Sequence, residues 1–392
     1  MRTAIIGGGA AGFFCAIELK RRCGNDMDVT IFEQQRRVLT KVEISGGGRC
    51  NCTNTFEGVT DLKQVYPRGA KLLKRLFKEF GPEDAYQWFE DNGVPLVVQE
   101  DRCVFPAAQD SHAIINCFMN EARRLGVKMR LGEKADPMEL LKGYDKVVVT
   151  VGGLANEAMR TSMPVTLNQC VPSLFTFNIK DKKLNDLMGV VIDNAILSIP
   201  GTKFKIQDVL LITHWGLSGP AALKLSSHAA LHLAENKYNA PLLINWTGET
   251  NAEEVKAELE HVARENAQKM LYSYRPFGLQ QRLWDYLLDK CGIKCRWSEL
   301  GKKNLNRLVD LLTNDHYQIA GRAAFKDEFV TCGGVPLDKV NKQTLESTEV
   351  PNLYFAGEVL DIDGVTGGFN FQAAWTTAYC VAKGIEQSIL AH

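Results

Sequence analysis

The sequence predicts an α/β protein in which a parallel sheet with flanking helices is interrupted by a long insert. Three observations predict this fold. A short apolar run at residues 3–6 leads into a glycine-rich turn and then into a helical stretch. A continuously apolar run at residues 146–151 ends at a glycine pair, as a buried parallel strand does. Near Asn352 the pattern of strand, glycine turn and helix returns, so the two ends of the chain are expected to form one domain.

The first turn carries a dinucleotide-binding fingerprint, G-x-G-x-x-G, between a strand and a helix. Its residues are Gly7, Gly9, Ala10, Ala11 and Gly12. Glycine allows a tight turn, close approach of the backbone to a pyrophosphate, and close packing of the helix on the strand. A second strand at residues 29–32 ends at Glu33, whose carboxylate is predicted to accept the ribose hydroxyls of an adenosine. Together these features predict a bound dinucleotide rather than a purely structural turn.

The C-terminal region contains a second glycine turn of the same kind. A strand-like run at residues 353–356 ends at a Gly-Glu pair, and further glycines lead into a helix. The start of that helix, directed at a flavin ring, would stabilise negative charge on the reduced ring. A domain that binds only NAD has no need of this second motif, so the predicted cofactor is FAD. The predicted contacts are Gly152 after the central strand and Gly357, Glu358, Gly367, Gly368, Phe369, Asn370 and Phe371.

The middle of the chain differs in character from both ends. Its β-rich runs are residues 172–179, 195–199 and 242–246. Amphipathic helical stretches follow, and Asn251 with Glu254 three residues later forms a helix start resembling a capping box. The predicted domains are a discontinuous dinucleotide-binding domain at residues 1–165 and 330–392, a β-rich insert at 166–250, and a helical insert at 251–329.

Composition restricts the class of partner. The 392-residue chain has 46 basic and 46 acidic residues, so its formal net charge is zero and no global field selects nucleic acid or an anionic membrane. No apolar stretch reaches the ~18 residues that a membrane span needs. Residues 4–19 lack the basic start of a leader, so a cytoplasmic location is expected. The eleven cysteines are odd in number and scattered along the chain, which predicts reduced thiols. Their spacing does not match that of zinc ligands, which predicts no metal site.

Four segments of the chain resemble one family. They are residues 41–54, 213–220, 331–335 and 357–372. On these motifs the sequence resembles the HI0933-like FAD-binding flavoproteins, the group that includes the YhiN-like and BaiN-like proteins and the aminoacetone oxidase family. The resemblance implies a glutathione-reductase-like Rossmann FAD domain, interrupted by a β-barrel-like domain and a helical domain. It implies tightly held FAD, but no single substrate.

The resemblance also implies cofactor contacts in the first of these segments. They are Lys41, Ser45, Gly46, Gly47, Gly48, Arg49, Cys50 and Asn51. The three glycines would let the backbone approach the cofactor, and Asn51 would fix the turn. Arg49 would face a phosphate or the flavin, the alternative being a surface ion pair.

The catalytic residues are unknown from the sequence. Cys50 could relay electrons as a disulfide with Cys52, although such a small ring is strained and packing is the usual fate of a buried cysteine. His214 could donate a proton near the flavin, and the alternative is a loop histidine bonded to the backbone.

Two positions depart from the family pattern. After Gly153 the family usually continues with a Gly/Thr-rich stretch, whereas here residues 154–160 run quickly into Pro164, as if the segment were shortened. The shortening would open the active site, alter nicotinamide docking, or remove turnover. Leu39-Thr40 also precedes Lys41, where the family commonly has a glycine and a basic residue.

Three functions remain open from the sequence. The first is an FAD-dependent oxidoreductase that moves a hydride between flavin and a small organic substrate held under the insert, with NAD(P)H or oxygen as second partner. Because no second G-x-G-x-x-G is present, NAD(P)H would bind transiently. The second is a flavin-dependent RNA-modifying enzyme, motivated by basic clusters at residues 20–22, 36–37 and 71–78.

The zero net charge and the lack of aromatic residues among these basic clusters make nucleic acid an unexpected partner, and the last cluster is interpreted as a solvated helix face. The third function is FAD binding without turnover. The oligomeric state is not predicted.

Overall fold

A computed structural model describes residues 1–154, 157–323 and 330–390. The chain forms two compact units. The first contains the residues up to Pro172 and those from Val330 onward, and the second contains the segment between them. Among the described residues, no helix combines the length and the apolar character that crossing a bilayer requires.

The strands and helices are numbered in chain order. The strands are β1 (Arg2–Ile6), β2 (Asp28–Glu33), β3 (Thr53–Asn54), β4 (Leu96–Val98), β5 (Cys103–Pro106), β6 (Lys128–Leu131), β7 (Lys146–Val149), β8 (Val171–Ser173), β9 (Phe177–Ile179), β10 (Val191–Ser198), β11 (Lys205–Thr213), β12 (Gly216–Ser218), β13 (Asn239–Asn245), β14 (Asp315–Arg322), β15 (Val330–Cys332) and β16 (Leu353–Phe355). The helices are α1 (Ala10–Cys23), α2 (Thr40–Gly48), α3 (Ala70–Leu76), α4 (Pro82–Asp91), α5 (His112–Arg124), α6 (Pro137–Leu140), α7 (Glu157–Thr161), α8 (Lys182–Asn185), α9 (Gly219–His228), α10 (Ala230–Glu235), α11 (Ala252–Glu265), α12 (Gln281–Cys291), α13 (Gly301–Thr313) and α14 (Phe369–Leu390).

The first unit is built on a five-stranded sheet in the order β16-β7-β1-β2-β6. All four pairings are parallel, and the register places Ile6 beside both Phe32 and Val149. Phe355 lies beside Val149 in turn. The carboxyl ends of β1, β2, β7 and β16 therefore meet at one edge of the sheet, where ligands of open α/β sheets bind.

Apolar side chains explain why the ends of the chain fold together. The central strands are fully buried, with Val147, Val148 and Val149 each 0% exposed. Helices α1 and α14 pack on the sheet, and the rings of Phe14 and Trp375 lie 5.5 Å apart. Buried parallel strands are continuously apolar because both of their faces are covered. The first and last segments thus share one hydrophobic core.

The second unit is a closed six-stranded barrel, in the order β10-β11-β12-β9-β14-β13, with helices α11 to α13 in the same hydrophobic cluster. The β-rich run expected at residues 172–179 is two strands rather than one, because Leu174 between them adopts a left-handed φ of 56°. β14 lies within the segment expected to be helical, and it pairs with both β13 and β9. The barrel is therefore closed by a strand that follows the helices in sequence.

Candidate cofactor site

The turn after β1 leaves space beside its middle glycine. A Cβ atom on Gly7 would lie 2.5 Å from the carbonyl oxygen of Thr150, and one on Gly12 would overlap the carbonyl oxygen of Gly7. Gly9 differs, since no atom lies within 4 Å of a Cβ built there. It is the N-cap of α1, followed by Ala10 and Ala11, and the first turn of this helix has no acidic residue. The free amides and helix dipole at this position favour an anion such as a pyrophosphate.

Glu33, at the end of β2, is tied to this turn. One carboxylate oxygen accepts a hydrogen bond from the amide of Gly8 at 2.8 Å, and the other accepts one from the amide of Gln35 at 2.8 Å. Each carboxylate oxygen has a second lone pair. Glu33 therefore shapes the turn and keeps acceptor capacity for a hydroxyl group, and its role toward a ribose stays a prediction.

Lys41 and Glu358 join two of the predicted segments. Their charged groups lie 3.1 Å apart, and the other oxygen of Glu358 accepts a hydrogen bond from the amide of Thr331 at 2.8 Å. A Cβ on Gly152 would be 3.9 Å from Glu358 and 4.0 Å from Lys41. Gly357 packs against the first turn of α1, where its Cβ would lie 2.9 Å from that of Ala11. The ends of β1, β7 and β16 therefore converge.

The loop at residues 45–51 depends on glycine. The helical hydrogen-bonding pattern of α2 continues into this loop, but the backbone of Ser45 is extended. The next three residues are glycines with φ values of 56°, 68° and 84°. Side chains disfavour this left-handed region, so Gly46, Gly47 and Gly48 are required by the backbone. A Cβ on Gly46 would meet the amide of Asn51 at 2.9 Å, whereas Gly47 and Gly48 face open space. The hydroxyl of Ser45 donates to the carbonyl oxygen of Val42 at 2.8 Å.

Leu39, where the family commonly has glycine, also has a left-handed φ of 56°. Its amide donates to the carbonyl oxygen of Gly8 at 2.8 Å, which ties the start of α2 to the first glycine turn. A buried leucine in this region stores strain of roughly 1 kcal/mol or more. The departure noted in the sequence thus lies at a position with glycine-like geometry.

Arg49 folds back on its own loop. Its guanidinium donates to the carbonyl oxygen of Gly46 at 3.2 Å and to Gln109 at 3.3 Å, and it lies 4.3 Å from the ring centre of Phe105. These contacts orient the side chain, and it forms no ion pair with any residue that the structure describes. Its predicted contact with phosphate or flavin stays a prediction.

The cysteines of this loop are buried thiols. Cys50 and Cys52 are each 0% exposed, and neither forms a disulfide. Burial raises the pKa of Cys50 to about 12 and that of Cys52 well above its usual value. The thiol of Cys52 donates to the carbonyl oxygen of Val104 at 3.3 Å. Because thiolates are the reactive form, these residues are poorly suited to disulfide exchange.

Polar side chains fasten the loop to the C-terminal glycine turn. In the amide orientation that satisfies both ends of the group, Asn51 donates to the carbonyl oxygen of Thr53 at 2.8 Å and accepts from the amide of Gly368 at 3.1 Å. Asn54 donates to the carbonyl oxygen of Gly367 at 3.0 Å. A Cβ on Gly368 would overlap the carbonyl oxygen of Thr53. The two segments are therefore in direct backbone contact.

The start of α14 is held in place by its neighbours. Phe369 accepts a hydrogen bond at its carbonyl oxygen from Tyr66 at 2.7 Å. Asn370 exchanges hydrogen bonds with the backbone of Gly364 at 2.8 and 2.9 Å, so its amide is used within the turn. The ring of Phe371 stacks on that of Trp375. The first turn of α14 has no acidic residue, which leaves its positive dipole end uncompensated.

We call the converging segments at residues 7–12, 41–51, 152 and 357–371 the cradle. Three of its features fit FAD. Gly9, Gly47 and Gly48 face open space. The starts of α1 and α14 favour negative charge. One carboxylate oxygen of Asp361, Oδ1, is buried without a hydrogen-bond partner among the described residues, which is expected where a ligand supplies the donor.

Several supporting residues were absent from the sequence prediction. The hydroxyl of Thr150 donates to the carbonyl oxygens of Ile6 and Gly7, each at 3.0 Å. Tyr66 and Thr331 hold the cradle through the bonds described above. Asn54 and Thr331 lie inside the segments that resemble the family, so the resemblance could have indicated them from the sequence. Thr150 and Tyr66 carry none, because their hydrogen bonds depend on tertiary structure.

His214 belongs to the other unit, in the turn between β11 and β12. It is exposed, and its ring lies 4.4 Å from that of Trp215. It lines a groove of about 510 Å³ with Lys180, Asp181 and Asn185 among others. Its proposed role as a proton donor stays a prediction. Within the shortened segment after Gly153, Ala155 and Asn156 lie outside the described residues.

Comparison with known proteins gives a family match along most of the chain. The model of the HI0933-like protein Rossmann domain matches residues 1–384. A 3-dehydro-bile acid delta(4,6)-reductase of Clostridium scindens is 28% identical over 411 aligned positions, which cover 97% of this chain and 98% of that protein. A ribosomal RNA dihydrouridine synthase of Haemophilus influenzae is 26% identical, with 98% of each chain covered.

The corresponding synthase of Escherichia coli is also 26% identical, with 97% of each chain covered. Among solved structures, a 3-ketosteroid delta1-dehydrogenase from Sterolibacterium denitrificans covers 98% of this chain and 99% of its own, at 12% identity and a TM-score of 0.46.

Proposed function

The chain belongs to the HI0933-like Rossmann-domain family, and from that premise we propose that it reduces a carbon–carbon double bond conjugated to a carbonyl group. It is an FAD-dependent oxidoreductase. Bound FAD supplies a two-electron carrier that can accept a hydride from one partner and deliver it to another. We propose NAD(P)H as the reductant, bound transiently because the sequence has no second dinucleotide fingerprint.

The names of the relatives support this reaction class. A delta(4,6)-reductase of a 3-dehydro-bile acid acts on double bonds conjugated to a ring ketone, and a dihydrouridine synthase saturates the uracil double bond that is conjugated to a ring carbonyl. For this chain we propose that a hydride adds to the carbon of the double bond that is farther from the carbonyl, and that a proton adds to the other carbon of that bond. NAD(P)H, oxidised to NAD(P)+, supplies the hydride and thus both electrons, and water supplies the proton.

The observation that carries the proposal is the open cradle beside buried, unpaired thiols. Cys50 and Cys52 are buried with raised pKa values, so the chain offers no dithiol relay there. The glycines of the cradle bring the backbone close to the cofactor, and the starts of α1 and α14 hold its negative charges. This arrangement favours direct hydride transfer to a substrate over transfer through cysteines.

Anaerobic absorbance measurements test the proposal. NADH or NADPH should bleach the visible absorbance band of the oxidised flavin. A steroid 4-en-3-one or a uridine-containing RNA should then restore the band, while the saturated steroid should not. If neither conjugated compound reoxidises protein that has been reduced with dithionite, the reductase proposal is wrong and FAD binding without turnover is favoured. Reoxidation without bleaching by NAD(P)H would retain the reaction and reject only the donor.

A further inference from the structure

Helix α3 carries a cationic face. Lys71, Lys74, Arg75 and Lys78 follow the spacing i, i+3, i+4, i+7, which places them on one side of a helix and its continuing turn. All four are exposed. On the opposite side, the three leucines of α3 are at most 7% exposed. We call these four residues the α3 cationic face.

No carboxylate neutralises this face. Residues 69–78 contain no Asp or Glu, and among the described residues none of the four cations forms an ion pair. The next acidic residue, Glu79, pairs with Lys383 at 2.6 Å. The basic clusters at residues 20–22 and 36–37 differ because each contains an arginine that forms an ion pair. Arg21 pairs with Glu121 at 2.6 Å, and Arg37 pairs with Glu43 at 2.6 Å. The α3 cationic face differs from these two clusters because all four of its charges lack an ion pair among the described residues.

This arrangement costs stability. Like charges three or four residues apart on a helix destabilise it by about 0.2–0.5 kcal/mol per pair, and the face contains four such pairs. The helix dipole favours Lys74 and Arg75 in the last turn, but it disfavours Lys71 near the start. A face with this unfavourable charge pattern is expected where an anionic partner supplies the missing charge.

The face is fixed to the cradle by the segment that precedes it. The hydroxyl of Tyr66 donates to the carbonyl oxygen of Phe369 at 2.7 Å, at the start of α14. Arg68 forms an ion pair with Asp363, whose side chain is fully buried, and Gly69 packs against Ile362. Both Asp363 and Ile362 lie within the C-terminal part of the cradle. An anion bound along α3 is therefore held beside the predicted flavin-binding turn, within the same unit.

We propose that the α3 cationic face is a docking surface for the phosphate backbone of single-stranded RNA, which brings a base of that strand to the flavin site. This inference rests on the proposed reduction of a conjugated ring and names RNA as the carrier of that ring. Four cations over about 10 Å of helix match a polymer with closely spaced phosphates. A membrane surface fits less well, because interfacial helices expose an apolar side and the leucines of α3 are buried.

Fluorescence anisotropy with a labelled 20-nucleotide oligouridylate tests the docking surface on the FAD-loaded protein. For the wild type we expect log K to fall with log salt at a slope of about −3, since roughly 0.7 counterions are released per phosphate contact on a single strand. The variant Lys74→Gln/Arg75→Gln should lower that slope by about 1.4. The charge reversal Lys74→Glu/Arg75→Glu should weaken binding at least tenfold at about 0.1 M salt.

A matched control is available in the other unit. Lys302 and Lys303 are exposed on α13 and form no ion pair among the described residues. The variant Lys302→Glu/Lys303→Glu makes the same change in net charge, and it should alter RNA affinity less than about twofold if general attraction is minor. The flavin content and melting temperature of each variant test whether the protein remains folded. If the charge-reversal variant unfolds, the glutamine variant is used for the comparison instead.

The inference is overturned if the wild type does not bind the oligouridylate, if the α3 variants bind as the wild type does, or if the control loses affinity equally. Binding to phosphatidylserine vesicles but not to RNA would assign the face to a membrane instead and would also overturn it. Reoxidation of the reduced wild type by a steroid enone does not involve RNA. Reoxidation without RNA binding would therefore reject the docking surface alone, whereas failure with every conjugated compound would reject the proposed function.

Discussion

The insert and the cradle each contain a carboxylate with buried oxygen atoms, and the two carboxylates differ in how those atoms are paired. In the insert, the carboxylate of Asp315 accepts hydrogen bonds from Trp246 at 3.1 Å and from Tyr317 at 2.8 Å, and it pairs with Lys290. Tyr317 shares a further hydrogen bond with Tyr286 at 2.9 Å. Burial raises the pKa of both tyrosines, so their hydroxyl groups remain protonated. These groups satisfy one another within a single network.

In the cradle, a buried carboxylate oxygen lacks a hydrogen-bond partner among the described residues, and two glycines have free space beside them. Asp361 Oδ1 has no partner among the described residues, and Gly9 and Gly47 face space rather than protein. The insert also has buried atoms without a partner among the described residues, at Asn185 Oδ1 and Trp297 Nε1. The difference therefore lies in the two carboxylates: both oxygens of Asp315 are paired, whereas Oδ1 of Asp361 is open to a donor on a ligand. The paired carboxylate of Asp315 is expected to stabilise the barrel, and the open oxygen of Asp361 is predicted to serve a cofactor. Four substitutions test that difference.

The largest expected effect is at Gly368 in the cradle. Gly368→Asp adds a side chain that overlaps the carbonyl oxygen of Thr53 and places a negative charge at the start of α14. We expect the purified protein to lack FAD or, if FAD remains, to show a midpoint potential shifted negative. Gly58→Asp is the control, because Gly58 has a similar φ of 82° but no atom near its Cβ. A yellow Gly368→Asp protein with an unshifted potential would place this turn away from the flavin ring.

In the insert, removal of Asp315 should affect stability rather than cofactor binding. Asp315→Ala leaves Lys290 and the Trp246 ring nitrogen without their partner, and breaking a buried ion pair costs about 3–5 kcal/mol. We expect the lower end of this range, because Lys290 is 32% exposed and can reach water. Urea unfolding measures the change. The exposed Asp310→Ala on α13 should change stability by less than about 0.5 kcal/mol, and equal losses in both variants would contradict a central role for the network.

Glu33 should show an intermediate effect on FAD. Glu33→Ala removes the carboxylate that is predicted to accept the ribose hydroxyls, as well as its bond to the amide of Gly8, and hydrogen bonds to charged groups contribute about 1.5–3 kcal/mol. We therefore expect FAD affinity, measured by flavin fluorescence, to fall at least about tenfold. Glu33→Arg should abolish retention, whereas Glu33→Gln keeps an acceptor oxygen and should lose less. Unchanged flavin content in both the alanine and arginine variants would remove Glu33 from the site.

The smallest effect is expected at Cys52. Cys52→Ser preserves a donor to the carbonyl oxygen of Val104 but cannot form a disulfide with Cys50. Direct hydride transfer predicts that the rate of flavin reoxidation by a conjugated substrate changes less than about twofold, since the thiol's pKa is raised and little thiolate exists near pH 8. A reoxidation rate at least a hundredfold lower, with FAD still bound, would contradict direct hydride transfer and favour electron transfer through the thiols.

The segments of the cradle could be predicted from the sequence because their backbone geometry requires particular residue types. Gly7 and Gly12 are required by close backbone contacts, and the glycines after Ser45 by left-handed φ values. Such requirements leave a local pattern that a single sequence shows. The expected family and the FAD-dependent oxidoreductase activity are confirmed, whereas the domain boundaries and individual cofactor contacts stay predictions.

The strand order of the barrel was harder to predict because it depends on pairing between strands that are distant in sequence. β14 begins at Asp315, directly after α13, and its place between β13 and β9 depends on pairing with strands far away in sequence. The break at Leu174 was also missed, since a leucine with a left-handed φ gives no sequence signal. The Asp315 network joins residues of β14 and α12 with Trp246, which follows β13, and composition alone does not bring them together.

The most direct test of the cradle is the FAD affinity of Gly9→Ala. Gly9 has a φ of −94°, which alanine adopts, and no atom lies within 4 Å of the added Cβ. The change in unfolding free energy should stay within about 1 kcal/mol, because alanine is only a somewhat poorer N-cap. We predict that the folded variant binds FAD at least about tenfold more weakly, since the methyl group occupies the space that the pyrophosphate needs. A stable Gly9→Ala protein with wild-type FAD affinity would show that the cofactor does not lie against this turn.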